Sequence, residues 1–83
     1  MENRIAAISV LVEDPSSVEA LNSLLHSYAP YILGRMGIPY REKGLNIICL
    51  AIDAPLDVIN TLTGKLGRLS GVSAKAVYSR GTN

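Results

Sequence analysis

Apolar and β-branched residues dominate IAAISVLVE, residues 5–13. With a period of two, Ile8, Val10 and Val12 turn to a core while Ala7, Ser9 and Leu11 line the reverse side of a strand. The period changes in DPSSVEALNSLLHSYAP. Asp14 can cap a helix and Pro15 suits its first turn, where the missing amide costs nothing. Val18, Leu21, Leu25 and Tyr28 then make one helical stripe, with Leu24 beside it, and Pro30 ends the run.

Residues 31–42, YILGRMGIPYRE, carry a mixed signal. Ile32, Leu33, Met36 and Ile38 favour a strand, whereas Gly34, Gly37 and Pro39 confine it to a sheet edge. A turn at Glu42-Lys43-Gly44 leads into GLNIICLAID, residues 44–53, apolar on both faces: Ile48, Leu50 and Ile52 on one, Ile47, Cys49 and Ala51 on the other. That pattern suits a central strand. Asp53 and Pro55 are expected to open a second helix as Asp14 and Pro15 open the first. Its stripe is Leu56, Ile59, Leu62, Leu66 and Leu69, its basic end carries Lys65 and Arg68, and Gly71 is placed for a left-handed stop. VSAKAVYS, residues 72–79, reads as a last edge strand, and Gly81-Thr82-Asn83 as a frayed tail.

The order βαββαβ, with a weak internal repeat of strand, Asp-Pro helix entry and strand, predicts an α+β fold of ferredoxin-like type. Right-handed crossovers set both helices on one face of a four-stranded antiparallel sheet, with strands one and three central. The opposite face would then carry Ala7, Leu11, Ile47, Cys49 and Ala51, broken by Ser9, Arg35 and Lys75. A contiguous apolar patch of that kind marks a contact surface, which predicts a homo-oligomer, a dimer or tetramer; enough polar interruption would leave the chain single. Gly64 and Gly67, three apart within the second helix, are expected to permit close packing of its backbone.

Composition narrows the function. The 83 residues form a single domain, 1–83, and 48% hydrophobic with 18% charged residues excludes disorder. Eight basic against seven acidic residues give a net charge of +1. That offers no electrostatic footprint for a phosphate backbone and argues against direct nucleic-acid binding. The eight-residue apolar run Ile5–Val12 is too short to span a membrane and no cleavage site follows it. A lone Cys49 fits a reducing, cytoplasmic setting. The single His26 lacks an orienting partner in the sequence, and one histidine with one cysteine cannot build a zinc or nickel site within one chain. GKLGRLSG lies late in a helix and lacks the Lys-Ser/Thr pair of a phosphate loop. The expectation is a non-enzyme without a cofactor. Asp14, Ser16 and Ser17, at the first strand-to-helix turn, are candidate contacts for a small anionic or amino-acid-like effector, since amides at a helix start attract anions. The same residues also fit plain helix capping.

SVLVED, LLHSY, GRMGIPYRE, LNIICLAID and above all LTGKLGRLSGVSAK resemble the small family of iron-only hydrogenase system regulators, over residues 4 to about 78. The resemblance implies a stand-alone ferredoxin-like, ACT-like domain with a regulatory role near hydrogenase maturation or expression. The ligand-sensing half of nickel-responsive repressors shares that fold, but Met36, Ile38 and Gly44 fall where its histidine and cysteine ligands would be, so metal sensing does not carry over. The first strand is expected to start within the opening five residues, which would leave no room for a DNA-binding segment ahead of it. Amino-acid-binding ACT domains usually place a glycine after the first strand; Glu13-Asp14-Pro15-Ser16-Ser17 departs from that. The function expected is a non-enzymatic, self-associating module that binds an effector or protein partner. The alternatives are a regulator that binds DNA directly, or a small enzyme or chaperone with a cryptic site.

Overall fold

Strand β1, Asn3–Val12, is the axis of the molecule: it is hydrogen-bonded to a neighbour along both edges. A computed structural model describes residues 2–80. The expectation for the terminal Gly-Thr-Asn lies outside them. After β1 come helix α1 (Val18–Ser27), strand β2 (Ile32–Tyr40), strand β3 (Leu45–Pro55), helix α2 (Leu56–Gly67) and strand β4 (Val72–Tyr78). The strands form one antiparallel sheet in the order β2-β3-β1-β4, the ferredoxin-like arrangement, with β1 and β3 central.

Alternation within the strands sorts the two faces. Ile8, Val10 and Val12 of β1 and Ile48, Leu50 and Ile52 of β3 are buried beneath the helices, joined by Leu21 and Leu25 of α1 and Ile59, Leu62 and Leu66 of α2. Residues opposite each other on antiparallel strands share a face. Ile8 faces Leu50 on one side and Ala76 on the other, so the core crosses the sheet in register.

Several local expectations change. Helix α2 does not start at an Asp53 cap: β3 continues to Pro55, Asp53 lies opposite Ile5, and Pro55 precedes the helix with no side-chain cap. The reason is register, because β1 already begins at Asn3 and its first residues hold β3 in the sheet to its end. The Asp-Pro repeat is therefore real only in the first half. There Asp14 caps a short 3-10 turn, Pro15–Ser17, that runs into α1. Leu56 is exposed instead of joining the buried stripe. In β2 the register slips between Ile32 and Gly34, which pushes Leu33 out of the ladder and into solvent.

Gly64 and Gly67 do not mediate close packing. A methyl group at either would meet no heavy atom within 4 Å beyond the helix's own backbone, because the Leu62–Leu66 stripe turns the glycines to solvent. Gly71 is the opposite case. Its φ is 68°, and a Cβ there would lie 2.5 Å from Asp14 Cβ and 2.9 Å from the Asp14 amide nitrogen.

Two substitutions separate these roles. Gly64→Ala should raise unfolding stability by roughly 0.5–1 kcal/mol, because it restores helix propensity at an open site. Gly71→Ala should lower it by at least about 2 kcal/mol, through left-handed strain and the clash with Asp14. Urea titration measures both, and a destabilising Gly64→Ala would mean that another surface covers that helix.

Candidate functional site

The face of the sheet away from the helices is a ladder of cross-strand rows. Gly34, Ala51, Ala7 and Val77 form one row, Met36, Cys49, Ser9 and Lys75 the next, and Ile38, Ile47, Leu11 and Ser73 a third. Ile5 extends the face at one end and Tyr40 at the other. Many of these side chains are strongly exposed: Val77 69%, Met36 60%, Ile38 53% and Leu11 41%. Ala7, Cys49 and Ala51 are exposed as well, and Ile47 is half-buried. All five residues expected on this face are therefore on it, side by side. Lys75 is the one cation in the three rows, and Ser9 and Ser73 are their polar members.

Arg35 does not interrupt this face. It pairs with Leu50 of the core side and reaches over β2 toward α1, where its guanidinium donates a 3.3 Å hydrogen bond to Asn22 Oδ1. Met36, Ile38, Ile5 and Val77 belong to the open face but were not named from sequence. For Met36 and Ile38 the available signal was alternation in β2, obscured by Gly34, Gly37 and Pro39; for Ile5 and Val77 it was the alternation of β1 and β4 carried to their ends.

The polar turn after β1 is a second cluster. Asp14 Oδ1 accepts from the Ser16 amide at 2.9 Å and the Ser16 hydroxyl at 2.7 Å, and Oδ2 accepts from the Ser70 hydroxyl at 2.9 Å. Ser17 is buried and its hydroxyl donates to the Ser70 carbonyl at 2.6 Å, while the Glu13 amide donates to the Gly71 carbonyl at 2.7 Å. The turn that enters α1 is thus tied to the turn that leaves α2. The candidate contacts Asp14, Ser16 and Ser17 do converge, and their polar groups are engaged with each other and with Ser70. Ser70 was not anticipated, because its distance in the chain from Asp14 hides the pairing. The Ser16 hydroxyl, then the Ser16 amide and the Ser70 hydroxyl hold the Asp14 carboxyl below the usual aspartate range, against a small opposing effect of burial.

Residues 4–76 match the TM1266-like family, described as "Iron-only hydrogenase system regulator, putative". The chain belongs to the TM1266-like family. A solved structure, that of the uncharacterized protein TM1266 from Thermotoga maritima, superposes with a TM-score of 0.91 at 36% identity, covering 95% of this chain and 100% of that one. No curated protein matches.

In this TM1266-like chain His26 is exposed in the last turn of α1 and Cys49 is exposed on the open face, on opposite sides of the sheet. Among the described residues no cluster of three or more His, Cys, Asp or Glu is arranged to hold a metal, and no helix is long and apolar enough to cross a membrane.

The Asp14 latch has a pH signature. A carboxyl whose folded value is depressed stabilises the fold above its ordinary value of about 4, and that contribution is lost as pH falls through the folded value. Asp14→Asn should therefore melt below wild type at pH 7, and the gap should close as pH drops from about 5 to about 2. Thermal melts over that range check it; a gap independent of pH would mean that the charge contributes nothing.

Proposed function

We propose that the protein is a non-enzymatic regulatory module that works as a homo-oligomer, a dimer or tetramer, joined through its open sheet face. The observation that carries this is the face itself: three rows of mostly apolar side chains with a single cation. Four strands at about 4.8 Å and seven residues at about 3.3 Å give a face of roughly 450 Å² in projection. Side chains standing on it bring the accessible area toward the ~800 Å² that each partner contributes to a standard interface. Covering it removes from water the apolar surface that the helices leave out, at about 25 cal/mol per Å² before the entropic costs of association.

The family description is of a hydrogenase-system regulator, which supports a regulatory role over a catalytic one. In such a module a small anionic or amino-acid-like effector, or a protein partner, would act by shifting assembly. Lys75 would meet solvent at the rim or a polar group of the other subunit, because a buried lone ammonium is strongly disfavoured.

Cys49, in the middle row, reports on the face directly. Its alkylation rate by iodoacetamide should fall as protein concentration rises from roughly 1 µM to 1 mM, as a dissociating oligomer closes over it. Leu11→Lys, at a site already open to water, should keep the fold and leave Cys49 equally reactive throughout. Wild-type reactivity that does not change with concentration, at a single-chain mass, would remove the basis of the proposal.

A further inference from the structure

The core is filled under both helices, but a groove opens beside α1, toward β2. Helix α2 lies over β4, β1 and β3, and Ile59, Leu62 and Leu66 are completely buried there. The closest backbone neighbours of α1 are the two turns that flank it. The sequence of β2 explains the asymmetry. Cross-strand pairing with Leu50, Ile48 and Asn46 puts Arg35, Gly37 and Pro39 on the helix side, where a closed core would need branched apolar side chains. What remains is a groove of about 250 Å³ between α1 and β2.

The lining of this groove is chemically divided. Half-buried Val18 and the nearly buried side chains of Val12, Leu21 and Ile48 line its apolar floor, and Arg35, Asn22 and Asn46 are its polar members. No acidic side chain is among the lining residues. The guanidinium of Arg35 has, among the described residues, the long bond to Asn22 Oδ1 and no ion pair. A planar guanidinium fork matches a carboxylate in two parallel hydrogen bonds, and the Asn22 side-chain amide brings donors of its own. The volume exceeds the ~150 Å³ that encloses a benzene ring, so a small ring or branched chain fits the floor. A single cation beside an apolar floor is poorly matched to a polyphosphate, which draws on several cations and backbone amides.

We propose that the groove between α1 and β2 binds a small monocarboxylate with an apolar body. The carboxylate pairs with Arg35 beside Asn22, and the body packs on Val12, Val18, Leu21 and Ile48. This gives the effector of the regulatory proposal a chemical class. It does not depend on self-association, because the groove opens on the other side of the sheet from the proposed interface.

Phenylacetate is a suitable probe, titrated into the ¹⁵N-labelled full chain and followed by amide chemical shifts. Saturable shifts at Asn22, Arg35 and Gly37 are expected, with Kd on the order of 1 mM, as befits so small a ligand. Phenylacetamide, of the same shape without the charge, should bind at least about tenfold more weakly, and Arg35→Gln should weaken phenylacetate by a similar factor. Gly37→Val keeps Arg35 but fills the groove; its Cβ would lie 3.9 Å from Ile48 Cγ1, an ordinary contact, so the fold should hold while binding is lost. The proposal is overturned if shifts do not saturate by about 20 mM, if the amide or Arg35→Gln binds as well as the reference, or if shifts map to the Cys49 face. The oligomer mass of the same samples is measured separately, so a failure of the self-association reading shows there and leaves the ligand result standing.

Discussion

Four strands have two faces, and two helices joined by right-handed crossovers can cover only one of them. That constraint governs the rest of the molecule. It buries Ile8, Val10, Leu50 and Ile52 under α1 and α2 and leaves Leu11, Met36, Ile38 and Val77 outside. A short chain has too few residues to roof both sides, so the second face must be wet, polar or covered by something else. This one is apolar, with Lys75 as its lone charge in the central rows.

A thin core also depends on what holds its layers in register. The latch among Asp14, Ser16, Ser17 and Ser70 ties the start of α1 to the end of α2 at one end of the sheet. Gly71 is a glycine because the chain passes against Asp14 there in a left-handed conformation. Along β2, Arg35, Gly37 and Pro39 leave a groove beside α1. One helix therefore lies over three strands of a filled core, and the other stands beside a groove that runs along the edge strand β2.

Much of this could be read from the chain. Alternation in IAAISVLV and IICLAI set the strands, their faces and their central position, because side chains that point oppositely must meet opposite environments. The left-handed conformation of Gly71 and the edge position of β2 followed from glycine and proline chemistry, although α2 already ends at Gly67 and Gly71 belongs to the turn before β4. Where the reading failed, long-range pairing overrode a local signal. Asp53 looked like a helix cap but is held in the sheet by Ile5. Arg35 was assigned to the open face because glycines blurred the period of β2, and the bulge at Leu33 was invisible for the same reason. Gly64 and Gly67 suggested contact although both face solvent. The Ser70–Asp14 bond joins residues that no local pattern connects.

The central claim is that the uncovered face is completed by another copy of the chain. Sedimentation velocity on the wild-type chain across a concentration series tests it most directly, with an open-face charge variant such as Met36→Lys as the control. A dimer or larger species should be populated by about 100 µM and shift to the single-chain mass in the variant. A wild-type protein that sediments as one chain up to about 1 mM would contradict it.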